Sequence, residues 1–218
     1  MRSAGGPARG DLTARAHIRD HALALFAERG PDAVSMRDIA AAAGVSPALV
    51  VHHYGSKLGL RHAVDEHVVA VFDDMFAAGT TDPGMLDLSD APAAATSFAE
   101  LMLAHLPPGS PIPAYLRRLL LSGDEAGRQL FKHWFAASVA MMEQLTAAGV
   151  TKPSDDVAVR AAFLMVNDLA MVLLHDHLAD VLGVDPLSPA GIRRWSADVV
   201  AAYAQGVFAL PPGSTHST

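Results

Sequence analysis

Residues 34–58 read VSMRDIAAAAGVSPALVVHHYGSKL and carry the signals of two short helices joined by a tight turn. Ser35 is placed to cap the first helix, and Asp38, three residues later, can return a hydrogen bond to that cap. Gly44 can adopt the left-handed conformation that turns the chain. The dipeptide Ser46-Pro47 then supplies the N-cap and first residue of a second helix. The pattern predicts a helix-turn-helix.

The second helix of this motif, predicted over residues 47–54, suits a helix that enters the DNA major groove. It is about two turns long, with Val50 and Tyr54 facing inward. Small residues at its start and hydrogen-bonding groups at its end are typical of a recognition helix. Its predicted outer surface consists of Ser46, Pro47, Ala48, Val51, His52 and His53. The alternative is an ordinary helix pair, in which Gly-Val-Ser-Pro is merely a connector.

The flanking sequence favours DNA binding over the ordinary helix pair. Upstream, one face of a supporting helix is predicted at spacings i, i+4, i+7 and i+8. That face consists of Ile18, Ala22, Leu25 and Phe26, and the helix ends at Arg29-Gly30-Pro31. Downstream, Lys57 opens a further helix, which puts a cation beside the recognition helix where a phosphate would lie.

Residues 13–60 resemble the DNA-binding domain of the tetracycline-repressor (TetR) family of bacterial transcription factors. The matching residues are Ala24-Leu25-Phe26, Glu28-Arg29-Gly30, Ile39-Ala40, Ala43-Gly44-Val45-Ser46, His53-Tyr54 and Ser56-Lys57. They cover most of that domain in the right order. The resemblance implies a homodimer that binds a palindromic operator in double-stranded DNA. It also implies a larger helical domain that binds a small-molecule inducer.

The resemblance also assigns residues to the DNA contact. Ser35, His52 and Lys57 would contact phosphates, whereas Ser46, Pro47 and Ala48 would face base edges. Val51 departs from the family, in which tyrosine is common here, and a valine can instead touch a thymine methyl group. The full predicted DNA-binding set is Ser35, Arg37, Ser46, Pro47, Ala48, Val51, His52, His53 and Lys57.

The charge distribution agrees with an N-terminal DNA-binding domain. The net charge is −7, but residues 1–62 contain eight Lys or Arg and only five Asp or Glu. The other eighteen acidic residues lie in residues 63–218, with eight basic ones. Attraction to phosphate depends on local charge, so the acidic remainder does not argue against DNA binding.

Several classes of protein are disfavoured by what the sequence lacks. It has no cysteine, which excludes disulfides and thiolate metal sites and fits a cytoplasmic location. Residues 161–174 are the longest apolar run, and they fall short of the roughly 20 residues of a membrane span. His175-Asp176-His177 invites a metal site, but neighbouring helix positions point about 100° apart, so a solvated helix end is favoured. No metal and no cofactor is predicted.

The remaining sequence predicts helices separated by loops, so the predicted fold class is all-α. We predict a disordered arm over residues 1–12, the three-helix DNA-binding domain over 13–60, a helical ligand-binding and dimerisation domain over 61–210, and a disordered tail over 211–218. Helices are expected over 61–78, 91–106, 114–121, 125–148, 156–182 and 190–208. Residues 80–90 read as a turn-rich linker.

The last two long helices are the predicted dimer surface. The first is apolar on nearly every side, so it has to be covered on more than one face. Pairing both helices with a second copy would give a four-helix interface about a two-fold axis. The predicted interface residues are Phe163, Met171, Leu174, Ile192, Trp195, Val199 and Tyr203. The alternative is that both helices are core of a single protomer.

A ligand pocket is expected from the family, and methionine and aromatic residues on the middle helices could line it. Ordinary core packing is the alternative for these residues. The predicted ligand-binding set is Met102, His105, Arg117, Leu120, Arg128, Phe131, Trp134, Phe135, Asn167 and Asp168. The pair Asn167-Asp168 lies inside an apolar helix, where buried polar groups need partners. It could orient a ligand or bridge two subunits.

Two other classes of function compete with the regulator. An enzyme is disfavoured because the sequence has no Gly-rich phosphate loop, nucleophile elbow or His-Glu-x-x-His motif. A helical scaffold that binds only proteins would show no salt-dependent binding to duplex DNA. The sequence therefore predicts a cytoplasmic, homodimeric, ligand-responsive regulator, most simply a repressor.

Overall fold

The computed structural model describes residues 9–81 and 89–205, and within these ranges the chain forms ten α-helices and no strand. The prediction of an all-α fold is confirmed. In chain order the helices are α1 (Arg9–Arg29), α2 (Met36–Ala42), α3 (Pro47–Tyr54), α4 (Lys57–Thr81), α5 (Ala91–His105), α6 (Ile112–Leu121), α7 (Glu125–Ala147), α8 (Val157–Leu173), α9 (His175–Leu182) and α10 (Pro189–Gln205).

The ends of the predicted segments need one correction. Helix α1 begins at Arg9, so residues 9–12 belong to a helix and not to the predicted disordered arm. The rest of the arm, residues 82–88 of the predicted linker and the predicted tail over 211–218 lie outside the described residues.

The chain divides into two compact units, and the first comprises residues 1–74 and 109–137. Its described helices are α1, α2, α3, most of α4, α6 and the first half of α7. The predicted apolar face of α1 is confirmed in part, because Ile18, Ala22 and Phe26 are buried while Leu25 is half-buried. The other large side chains that are fully buried in this unit are Val34, Ile39, Val50, Leu60, Val64, Val68, Tyr115, Leu116 and Trp134.

The second unit comprises residues 75–108 and 138–218. Its main packing is between α5 and α10. Helix α5 presents four buried alanines, Ala91, Ala94, Ala95 and Ala99, and such small side chains allow two helices to approach closely. Ala99 packs with Met171 and Ile192 in a buried cluster that Met102, Leu103, Leu187 and Trp195 cover.

The helix predicted over residues 156–182 is broken in the structure. It forms α8 and α9, which meet at Leu174 with a bend of 77°. After the bend, His175 reaches Asp185, ten residues along the chain, with a distance of 2.8 Å between Nε2 and Oδ1. In the described ranges no single helix is long and apolar enough to cross a membrane, although α8 and α9 together would pass on length and composition.

Candidate nucleic-acid interface

The predicted capping box at the start of α2 is present. Ser35 accepts a hydrogen bond from the backbone N–H of Asp38 at 3.2 Å, and its own N–H donates to Oδ2 of Asp38 at 2.8 Å. The Ser35 hydroxyl also donates to Oδ2 at 2.6 Å. These hydrogen bonds from Ser35 hold the pKa of the Asp38 carboxyl below its usual range. The reciprocal pair therefore fixes where α2 begins.

The turn between α2 and α3 also follows the prediction. Gly44 has φ +64°, the left-handed conformation that glycine adopts without strain. Ser46 caps α3 by accepting from the N–H of Leu49 at 3.2 Å, and Pro47 is the first helical residue. The turn is closed by a bond from the N–H of Val45 to the carbonyl oxygen of Ala40 at 2.9 Å. These bonds fix the direction in which α3 leaves α2.

One side of α3 is anchored in the first unit. Val50 is fully buried, and the Tyr54 hydroxyl donates to the backbone carbonyl of Arg15 on α1 at 2.6 Å. The Arg15 guanidinium lies over the Tyr54 ring, 5.4 Å from its centroid. The inward placement predicted for Val50 and Tyr54 agrees with these contacts. Arg15 was not among the predicted functional residues, because no local pattern links it to Tyr54.

The opposite side of α3 faces solvent. The five predicted DNA-contacting residues exposed there are Ser46, Pro47, Ala48, Val51 and His52. Val51 is 48% exposed, a large fraction for an apolar side chain beside a packed core. His53 is half-buried, and its ring lies 5.4 Å from that of His52 and 6.3 Å from that of Tyr54. The helix therefore presents small and hydrogen-bonding groups on a single open surface.

The predicted DNA-binding residues Ser35, Arg37 and Lys57, which lie before and after α3 in the sequence, differ in exposure and in hydrogen bonding. Arg37 is exposed on α2. Lys57 is half-buried, and its Nζ donates to the backbone carbonyl of Asp32 at 3.2 Å, so one of its three hydrogens already serves the loop before α2. The Ser35 hydroxyl hydrogen is directed to Asp38. A phosphate contact from the Ser35 hydroxyl would therefore require its hydrogen to turn away from Asp38.

The predicted dimer residues separate into exposed and buried groups. Phe163, Leu174 and Tyr203 are 67%, 50% and 40% exposed. Met171 and Ile192 are only 4% and 1% exposed, because they pack on Ala99 within the same chain. These two residues are therefore removed from the predicted interface. Trp195 covers the same cluster, and Val199 is half-buried.

Asn167 and Asp168 are joined to Tyr203 in what we call the Tyr203 cluster. Asn167 Nδ2 donates to the Tyr203 hydroxyl at 2.8 Å, and that hydroxyl donates to Oδ1 of Asp168 at 3.2 Å. The Asp168 side chain has a solvent-exposed surface in the single chain. Many protein atoms nevertheless surround its carboxylate, and this desolvation raises the pKa of Asp168 to about 6. Desolvation likewise raises the pKa of Tyr203, which keeps its hydroxyl a donor.

The other predicted ligand-binding residues are divided between the two units. Trp134 is buried in the first unit, where its ring lies 4.5 Å from that of Phe72, and Phe131 on the same helix is 39% exposed. Arg128 is exposed and pairs with Glu125. Arg117, Leu120 and Phe135 are half-buried in the first unit, as are Met102 and His105 in the second. Among the described residues, no three His, Asp or Glu side chains converge as metal ligands.

Comparison with known proteins agrees with the helix-turn-helix geometry. Residues 18–64 match the family model of bacterial regulatory proteins of the tetR family, and residues 109–209 match that of a tetracyclin repressor-like C-terminal domain. The HTH-type transcriptional regulatory protein RaaS of Mycobacterium tuberculosis is 33% identical over 209 residues, which cover 91% of this chain and 89% of RaaS.

Solved structures share the fold at low sequence identity. The fatty acid degradation regulator FadR from Bacillus halodurans matches with a TM-score of 0.67 and 13% identity, over 94% of this chain and 98% of FadR. AibR, solved in complex with isovaleryl coenzyme A and operator DNA, matches with a TM-score of 0.62 and 16% identity, over 89% of this chain and 100% of AibR.

The fold and the surface of α3 define a DNA-binding transcriptional regulator with an N-terminal helix-turn-helix. The matches over both units identify its relatives as regulators, in agreement with the prediction that the chain is not an enzyme. The chain belongs to the TetR family of transcriptional regulators.

Proposed function

We propose that the chain is a ligand-responsive repressor that binds a palindromic operator as a homodimer, with α3 of each copy in the major groove. The observation that carries the proposal is the two-sided character of α3. Val50 and Tyr54 anchor one side, while Ser46, Ala48 and Val51 lie open on the other. Small side chains at the start of a recognition helix let it approach base edges closely. Chromosomal DNA as the target agrees with the predicted cytoplasmic location.

The second copy in this proposal would bind to one apolar surface, the α8–α10 face. We define it by Val159, Phe163, Val166, Tyr203 and the polar atoms of the Tyr203 cluster. The three apolar residues on α8 are 63%, 67% and 50% exposed, and their spacing of four and three places them along one side of the helix. Large exposed apolar patches mark interaction sites. A two-fold pairing through this face lets two recognition helices bind one palindrome.

The Tyr203 cluster supports subunit bridging over ligand binding for Asn167 and Asp168. Its three side chains satisfy one another between α8 and α10, and Tyr203 is itself part of the α8–α10 face. In the proposed dimer these groups would be desolvated with their hydrogen bonds already formed, which lowers the cost of burying them.

An effector response is supported by the family and by AibR, whose structure contains both isovaleryl coenzyme A and operator DNA. The effector needs only to bind the DNA-incompetent state more tightly than the DNA-bound state. A coupling of about 1–3 kcal/mol weakens DNA binding by roughly 5–150-fold. Trp134 and Phe131 on α7 remain the candidate contacts for an apolar part of the effector.

The experiment that tests the proposal is selection of randomised duplex DNA by the purified protein at two salt concentrations. An enriched palindrome that binds more weakly at high salt is the expected result. If nothing is enriched, the protein is denatured, refolded without any co-purified ligand and selected again. If the refolded dimer still enriches no sequence, the alternative is favoured, in which the chain is a helical scaffold that binds only proteins.

Lys57→Ala tests the placement of the phosphate contact. The variant is expected to weaken binding to all sequences and to reduce the slope of log affinity against log salt by about 0.9, the value for one phosphate. Lys132→Ala is the matched control, because it removes an exposed lysine from α7 in the same unit. Circular dichroism of the Lys57 variant checks that loss of its bond to Asp32 leaves the domain folded. Equal salt slopes for both variants would exclude Lys57 as a phosphate contact.

A further inference from the structure

The C-terminal end of α1 is capped by an arginine about ninety residues further along the chain. Arg118 on α6 donates from Nε to the backbone carbonyl of Ala27 and from Nη2 to that of Glu28, each at 2.7 Å. The last carbonyls of a helix have no partner within the helix, and the negative end of its dipole attracts a cation. A single guanidinium therefore satisfies two consecutive carbonyls in the last turn of α1.

Helix α6 holds α1 at a second point. The Tyr115 ring stacks on Phe26 with centroids 6.4 Å apart and an interplanar angle of 29°. Tyr115 is only 1% exposed, and its hydroxyl donates to Oδ1 of Asp65 on α4 at 2.6 Å. Burial raises the pKa of Asp65 and that of Tyr115. This buried contact joins α6 to both α1 and α4.

An ion pair also connects α4 to the start of α7. Arg61 on α4 forms an ion pair with Asp124, which accepts in turn from the N–H of Gly127 at 2.9 Å. Helices α4 and α7 are the two that continue from the first unit into the second. Helix α1, which supports α3 through Tyr54, is thus attached to them through α6.

We propose that Arg118 is a positioning residue for operator recognition, because it fixes the end of α1 and with it the orientation of α2 and α3. The inference rests on the proposed function, in which two copies bind one palindrome. A dimer recognises half-sites at a set separation only if each recognition helix is held at a set angle. Loss of the Arg118 cap leaves the Tyr115 stack as a pivot about which α1 can swing. The expected consequence is a weaker preference for the correct half-site spacing.

The test compares the selected palindrome with versions whose half-sites lie one base pair closer or farther apart. Arg118→Met, which keeps much of the apolar stem, is expected to reduce the discrimination against the altered spacings by about five- to tenfold, the scale of one ordinary hydrogen bond. The salt slope stays unchanged, because no phosphate contact is lost. Arg193→Met is the matched control, since it removes an exposed arginine from α10.

Other results would overturn this proposal or separate it from the proposed function. Full spacing discrimination by Arg118→Met refutes the positioning role, and a reduced salt slope shows instead that Arg118 contacts phosphate. If Arg118→Met does not fold, Arg118→Lys keeps the charge but loses the two-pronged donor, and it is expected to show the same change at smaller size. If the parent protein selects no palindrome even after refolding without ligand, the proposed function fails. Amide hydrogen exchange over residues 27–35 then tests the cap by itself, with faster exchange expected in Arg118→Met and unchanged exchange refuting it.

Discussion

Tyr54, the last residue of the recognition helix, donates its hydroxyl to the backbone carbonyl of Arg15 at 2.6 Å. The contact spans 39 residues and connects α3 directly to the first half of α1. Desolvation raises the pKa of Tyr54, so the hydroxyl stays protonated and remains a donor at neutral pH. The recognition helix is therefore fixed at its far end by one specific bond in addition to the burial of Val50.

Replacing Tyr54 by Phe removes that bond while keeping the ring beneath the Arg15 guanidinium. We expect the free energy of unfolding to fall by about 1 kcal/mol, a typical value for one hydrogen bond between a side chain and the backbone. Urea denaturation followed by circular dichroism measures the change. An unchanged midpoint would mean that water replaces the carbonyl partner at no cost, and the anchor would then reduce to Val50.

The capping box of α2 gives a prediction in acid. The Asp38 pKa is lowered by its bonds to Ser35, so the carboxylate stabilises the folded state above its unfolded pKa of about 4. This stabilisation is lost as the pH falls through the lowered pKa of the folded state. Ser35→Ala is therefore expected to cost more stability at pH 7 than at pH 2.5, as measured by urea unfolding at both values. An equal cost at both pH values would show that Ser35 acts without Asp38.

The helix-turn-helix could be predicted residue by residue because its signals are local. Ser35, Gly44 and Ser46 each act on backbone groups within five residues, and the structure has these three where the sequence indicated. The break at Leu174 could not be predicted, because residues 156–182 contain neither proline nor glycine. The bend accompanies contacts of His175 with Asp185, which a local pattern does not record.

The sequence also could not predict which part of the protein covers each apolar side chain. The predicted long helices place three apolar residues alike, namely Met171, Ile192 and Phe163. Periodicity alone does not say what covers each one. The structure buries the first two against Ala99 and leaves Phe163 open. The contacts of Arg118 could not be predicted for a related reason, since its partners are backbone carbonyls that any sequence would supply.

Phe163→Glu is expected to convert the proposed dimer to monomers. Phe163 is 67% exposed in the single chain, so a charge there leaves the protomer folded but would be buried without a partner in the dimer. Leu121→Glu is the matched control, because Leu121 is also 67% exposed and lies on α6 in the other unit. Sedimentation velocity separates the outcomes. A dimer that survives Phe163→Glu and dissociates with Leu121→Glu would move the interface away from the α8–α10 face.

The contacts of His175 predict a stability change on the alkaline side. Its Nδ1 lies 2.8 Å from Oδ1 of Asp176, and its Nε2 lies 2.8 Å from Oδ1 of Asp185. These two carboxylates raise the pKa of His175, which means that the stabilisation is complete below about pH 6.5 and is lost as the pH rises through the raised value. His175→Gln is expected to cost more stability at pH 6 than at pH 9. His177→Gln, which replaces an exposed neighbour on α9, is the control for loss of an imidazole.

The raised pKa of Asp168 predicts that the proposed dimer weakens as the pH rises. Its pKa of about 6 lies above the ordinary value because the surrounding protein disfavours the charged form. Tyr203 and Asn167 are the groups that contact it, and both are uncharged at neutral pH. Burial in the α8–α10 interface would disfavour the charge further, so dimerisation takes up protons above about pH 6 and the dimer is tighter at pH 5.5 than at pH 8.

Asp168→Asn keeps an acceptor for the Tyr203 hydroxyl but cannot ionise, and its association constant should change less between these two pH values. Sedimentation equilibrium of both proteins provides the comparison, and an identical pH response in the two would place Asp168 outside the interface.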